Sequence, residues 1–190
     1  MELVALDRRA LEQASRIVSG VTADHLDRPT PCAGWTLRQL LTHMVSNNHG
    51  WAEAAMGRSV GAEVWEEIPL GDDPVRAFQE SADRVVETFG AEGFADRRLD
   101  VYGYGVFPAR VAVGMHFVDF LAHGWDVAKS IGAPDELDPE LCEAGLKIAL
   151  RWPYHRPDKA FGVAVEVPED APAHHRLVAY LGRSPGWPAD

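Results

Sequence analysis

The sequence predicts an all-α protein, a four-helix bundle followed by a short C-terminal appendage. Three observations carry that expectation. Apolar residues recur at three- and four-residue steps in four long windows. Proline, glycine or a capping residue bounds each window. The windows run to roughly 17 to 24 residues and are joined by linkers of very different lengths, a pattern that suits a bundle.

The first helix is expected from Asp7 to about Leu26. Leu6, Ala10, Leu11, Ala14, Ile17, Val18 and Val21 keep helical spacing, with Asp7 as N-cap and Pro29 and Pro31 as the stop. A rigid loop, Arg28 to Trp35, leads to Thr36, which opens the second helix. Gln39 lies three residues on, so the two fit a capping box. Leu37, Leu40, Leu41, Met44, Val45, Asn48, Trp51, Ala52 and Ala55 form the stripe, and Gly57 ends it. Arg58 to Asp72, rich in glycine and acidic residues, is expected to be a mobile loop.

Asp73-Pro74 opens the third helix, which carries Val75, Phe78, Ala82, Val85, Val86 and Phe89 to Gly90. Gly93 to Val106 lacks a helical pattern and reads as a loop or a short extended pair. Pro108 starts the fourth helix, with Val111, Met115, Val118, Leu121, Trp125 and Ala128 apolar and Gly132 as C-cap. A fifth, shorter helix runs from Asp138-Pro139 through about Trp152. An extended segment, Phe161 to Val167, and a last helix, Ala173 to Gly182, complete the chain. Residues 1–132 thus form the bundle, and residues 133–190 an appendage packed on it within a single domain.

With 46% hydrophobic residues in 190, the chain can bury a full core. Its net charge of −11 disfavours nucleic acid and anionic membranes as partners. Cys32 and Cys142 form no CxxC, which argues against a disulfide framework and for a reducing cytoplasm. Charges at positions 2, 7, 8 and 9 leave no apolar core for a signal peptide. No run approaches the about 18 apolar residues of a membrane span. An exposed bundle face leaves room for a homodimer.

The chemistry concentrates in the fourth helix. Asp119 and His123 are four residues apart, about 400° of turn, and so lie on one face one turn apart. A carboxylate and an imidazole held that way suit a divalent metal, and equally a simple hydrogen-bonded pair. His116 lies within the same arc but about 10.5 Å from His123 along the axis, too far to share an ion with it. It reads as a flanking residue. A third ligand must come from another helix. Of the eight histidines, His25, His155, His174 and His175 sit at a helix end, in a loop or in the polar appendage, and His49 faces away from the stripe. His43 lies mid-helix beside the stripe, a place fit for a ligand or for a core histidine.

At these residues the chain resembles a known family. Thr30 to Thr36 (TPCAGWT) leading into Leu40 to His43 (LLTH) resembles the start of the second helix of the DinB-like superfamily. The likeness is greatest to the actinobacterial branch related to the mycothiol-dependent maleylpyruvate isomerase N-terminal domain. Asp119 to Ala128 (DFLAHGWDVA) resembles that branch's fourth helix, and Phe161 to Arg183 its C-terminal segment. The resemblance implies a four-helix bundle holding a divalent metal, zinc or nickel, through His43, Asp119 and His123. Aspartate stands at 119 where relatives carry glutamate or histidine, and its reach is shorter. It further implies a small-molecule thiol such as mycothiol as cofactor, with an unknown small second substrate. Residues 133–190 are too few for the further domain that helps form the isomerase's active site.

Two neutral imidazoles and one carboxylate would leave the ion with a net positive charge and with positions open for substrate. Such an ion lowers the pKa of a bound thiol or water. The function expected is thus a metal-dependent thiol transferase or isomerase-like enzyme; a non-enzymatic metal-binding module is the other reading. Around the ligands, Asn47 lies one turn past His43, and Asp126, three residues past His123, is placed to orient it from behind or to face solvent. Trp35, Trp51 and Trp125 are candidates to line a pocket or to pack the core. Cys32, in the loop before the second helix, is a candidate nucleophile or a structural residue.

Overall fold

Thr36 and Gln39 cap each other as their spacing predicts. The Gln39 amide donates to Thr36 Oγ1, and the Thr36 amide donates to Gln39 Oε1. They open α2, Leu37–Ala55, in a computed structural model that describes residues 2–151 and 161–188. The other helices among the described residues are α1 (Glu2–Val18), α3 (Ala62–Trp65), α4 (Pro74–Phe89), α5 (Ala109–Ile131), α6 (Pro139–Ala149) and α7 (Ala173–Tyr180). The fold is all-α, with one small hairpin among the described residues. Asp73 accepts from the Arg76 amide to start α4, with Pro74 in the first turn. Gly132, at φ +71°, ends α5 in the left-handed conformation that glycine adopts most readily.

The four long helices close on one another. α1 packs against α5 and α4, and α2 packs against α4 and α5. Between them lies a core that includes Leu11, Leu41, Phe78, Val85 and Phe120. α5 lies at the centre. Its other side, with Phe117, Leu121 and Trp125, packs under Leu141 of α6 and Leu177 and Leu181 of the C-terminal segment. Apolar residues therefore surround most of this helix, and few of its side chains reach solvent.

Three expectations change, and the short extended pair offered as one reading of residues 93–106 forms. α1 begins at Glu2 and ends at Val18, so Asp7 is a mid-helix residue and not a cap. Its buried carboxylate faces His116 of α5, which offers it a partner that the helix terminus does not. The expected mobile loop at 58–72 is docked on α2. It contains α3, whose Trp65 is buried against Gly50; a Cβ at Gly50 would come within 2.2 Å of the indole. The Ile68 amide also donates to Ser46 Oγ. Residues 93–106 begin with a 3-10 turn, Phe94–Asp96, followed by β1 (Arg98–Val101). β2 (Gly105–Pro108) pairs with β1 antiparallel, with Arg98 opposite Pro108 and Val101 opposite Gly105. α6 ends at Ala149, before the expected end near Trp152; Trp152 and His155 fall outside the described residues.

The C-terminal segment crosses itself. At Gly182, φ +84°, a Cβ would sit 2.5 Å from the Gly162 backbone. Glycine at 182 is what allows that approach. The crossing brings Phe161 and Arg183 to the same place on the molecule, at one end of α5 residues Asp119 to Asp126.

Candidate metal centre

His43 comes from α2, and Asp119 and His123 from successive turns of α5. The packing of these two helices brings the three side chains together: one donor atom of each lies within 4.8 Å of the others. Asp119 Oδ1 is 3.4 Å from His123 Nε2. The His43 and His123 rings meet edge to face with centroids 5.1 Å apart. Two imidazoles and a carboxylate are the donor types that catalytic zinc sites use, and donors already this close need little side-chain adjustment to reach one ion.

The charges of His43 and Asp119 suit the same purpose, and His123 must give up a proton to join them. Burial, reinforced by the charge of His123, pushes the His43 pKa down to about 4. It is therefore neutral at physiological pH, the form that ligates a metal. Burial alone would raise the Asp119 carboxyl, but the charge and hydrogen bond of His123, together with His43, hold it below the usual carboxylate range. Burial would lower His123; Asp119, aided by Asp126, outweighs it and raises the imidazole well above its ordinary value.

Asp126 is fully buried and stands behind His123, with Oδ2 3.0 Å from Nδ1. A carboxylate on Nδ1 fixes the ring and leaves Nε2 free to face Asp119. Asp126 in turn is gripped by Arg183, which donates from Nη2 at 2.9 Å and from Nε at 3.3 Å. Burial works against the Arg183 charge, and Asp126 more than restores it, so the guanidinium stays protonated. Cys32 joins this group, with Sγ 3.3 Å from Asp126 Oδ2 and 3.1 Å from Arg183 Nη2.

The donors lie in a cleft of about 910 Å³, large enough for a drug-sized ligand. Trp35, Trp51, Trp65, Tyr102, Tyr104 and Phe161 supply its aromatic lining. Trp35 stands edge-on to His43 at 5.0 Å. Asn47 contacts His43 Nδ1 at 3.1 Å and lines the same cleft.

Two expected site residues lie elsewhere. His116 is wholly buried, bonded to Asp7 and Asn48, because the core side of α5 carries its own polar pair. Trp125 is buried under α6 and α7, because its face of α5 is turned from the cleft. Arg183 was not singled out from sequence. It follows the last helix in a polar tail, and only its place in the Arg176 to Arg183 stretch of the family resemblance marks it.

These features define a class: an all-α protein whose two central helices present a mixed histidine–carboxylate cluster to an aromatic cleft. The chain belongs to the mycothiol maleylpyruvate isomerase N-terminal domain family, which it matches over residues 8–128. It is 32% identical over 187 residues to uncharacterised proteins of two Mycobacterium tuberculosis strains, CDC 1551 / Oshkosh and ATCC 25618 / H37Rv. The match covers 97% of this chain and 99% of each relative. Its fold is similar to the crystal structure of the mycothiol-dependent maleylpyruvate isomerase, with a TM-score of 0.61 at 20% identity, and to that of a mutant of the enzyme, at 0.59 and 18%. Each covers 78% of this chain and 66% of the isomerase, so the likeness spans just under two thirds of the enzyme's length. No helix among the described residues is long and apolar enough to cross a membrane.

Proposed function

We propose that this protein binds a divalent metal ion, zinc or nickel, through His43, Asp119 and His123. With it, the protein activates a small-molecule thiol of the mycothiol type for transfer to, or isomerisation of, a second small substrate. One observation carries the reading: three donors from two helices converge in an open aromatic cleft of about 910 Å³. Family membership supports the thiol, and the cysteine usage supports a cytoplasmic setting.

A bound divalent ion supplies a Lewis acid that lowers the pKa of a thiol toward neutrality. The chain's own residues do the rest. Asp126 holds His123 in one orientation. Asp119 contributes a carboxylate charge beside the two imidazoles. Trp35 and Trp65 wall the cleft beside the donors. Tyr102 and Tyr104, 40% and 47% exposed, place hydroxyls near the mouth, where a polar substrate group finds hydrogen-bond partners. The openness of the cleft favours this reading over a non-enzymatic metal module, which would close its coordination shell with protein ligands.

The test is metal analysis of protein purified without an affinity tag, beside His43→Ala and His123→Ala. About one ion per chain is expected in the wild type, with loss in both variants. Equal sub-stoichiometric metal in all three would overturn the reading. Mycothiol should raise the melting temperature of the metal-loaded protein by mass action.

A further inference from the structure

His123 belongs to two donor sets. On the Nε2 side are Asp119 and His43. On the Nδ1 side are Asp126 and Cys32, and these donor atoms also lie within 4.8 Å of one another. The second set contains a cysteine, and thiolate is the softer ligand that zinc takes readily. Donor chemistry alone would therefore let an ion settle on either side of the ring.

A resident cation separates the two. Arg183 Nη2 is 3.1 Å from Cys32 Sγ and 2.9 Å from Asp126 Oδ2, the two atoms an ion would have to reach. Nε holds the other Asp126 oxygen at 3.3 Å, and Nη1 donates to the Leu181 carbonyl at 2.9 Å. The Arg183 side chain is 5% exposed and lies over the Phe161 ring. A guanidinium fixed this way cannot be deprotonated to make room. A divalent ion at the same point would meet both its atoms and its charge.

We propose that Arg183 is an internal cation that closes the Cys32/His123/Asp126 set to metal. It thereby directs the ion to His43, Asp119 and His123 and leaves Cys32 an unligated thiol beside the cleft. The inference rests on the metal reading above. It also gives the C-terminal segment a role in metal selection: Arg183 arrives through the Gly162–Gly182 crossing, so the appendage decides which nitrogen of a bundle histidine is used. Without Arg183, Asp126 is a buried carboxylate left with His123 as its one neighbour of opposite charge among those described, which adds to the pull on an ion.

Cobalt(II) tests this, because thiolate ligation adds an ultraviolet charge-transfer band that nitrogen and oxygen ligation lacks. Wild type and Cys32→Ser should bind about one cobalt per chain with the same spectrum and no such band. Arg183→Met should gain the band, and Arg183→Met/Cys32→Ser should lose it again. A wild-type band that Cys32→Ser removes overturns the proposal, as does an Arg183→Met spectrum identical to wild type. If Arg183→Met does not fold, Arg183→Gln takes its place, with the same two outcomes. Cobalt binding by Arg183→Met but not by wild type would sink the metal reading while supporting closure by Arg183. Binding by neither sinks both.

Discussion

His116 and Asp7 meet inside the helical core, Nδ1 to Oδ1 at 2.6 Å, with 0% and 3% of their side chains exposed. The other ring nitrogen lies 3.1 Å from Asn48 Oδ1. Asn48 donates to Ser81 Oγ, which donates to the Phe78 carbonyl. The chain of contacts thus touches α1, α5, α2 and α4 in turn. Apolar side chains tolerate sliding; a directional polar chain does not.

Breaking this pair from one side should therefore be costly. Asp7→Ala and His116→Leu are each expected to lose about 3–5 kcal/mol, because each strands a buried partner. The double variant should lose clearly less than the sum of the two. Urea denaturation measures all three, and additive effects would show that the pair is not coupled.

The two cysteines should differ in reactivity. Cys142 is fully buried in α6, and burial pushes its thiol up to about 12. Cys32 is partly exposed and lines the cleft. Iodoacetamide at pH 8 should label Cys32 in the native protein and Cys142 only in denaturant, as peptide mass spectrometry would reveal.

Acid should destabilise the fold through histidines outside the site. Burial, then the charge of Arg84, lowers His49; burial, then His175, lowers His174. As pH falls below the ordinary histidine value of about 6.5, the unfolded chain takes up protons that the native state resists. Stability contributed by these residues is therefore present above that pH and declines below it. A melting temperature flat from pH 7 to 5 in both wild type and a His49→Gln/His174→Gln variant would contradict this.

Gly182→Ala should displace Arg183 while leaving the bundle folded. The new methyl meets the Gly162 backbone at 2.5 Å, and the residue sits at φ +84°. A loss of about 1–3 kcal/mol is expected from strain alone. Far-ultraviolet circular dichroism should stay helical while Cys32 becomes faster to alkylate; unchanged alkylation would mean that Arg183 stays in place.

Much of the fold is legible where the signal is local. Thr36 with Gln39, Asp73 with Pro74, and Gly132 mark helix ends within a few residues of the bonds they make. Asp7 misleads for the converse reason: its partner is 109 residues away, so an acid near the chain start reads as a cap. Residues 58–72 mislead by composition. Glycines and acids mask Trp65, whose docking depends on a missing side chain at Gly50 of another helix. The candidate site divides the same way. Asp119 and His123 share a face by helical arithmetic, and Asp126 follows on the next turn. Arg183 lies 57 residues beyond Asp126, and nothing near it in sequence announces a buried cation.

The sheathing of α5 has a consequence for how such a protein changes over time. A helix packed on one side by α1, α2 and α4 and on the other by α6 and α7 offers no freedom to shift its side chains toward a new ligand. The rim is a different matter. Trp35 sits in the loop before α2, and Tyr102 and Tyr104 at the hairpin turn, all three with more than a third of their surface in solvent. Lineages descended from one ancestor can thus diversify what enters the cleft by editing a few loop residues, without repacking the helix that carries Asp119 and His123.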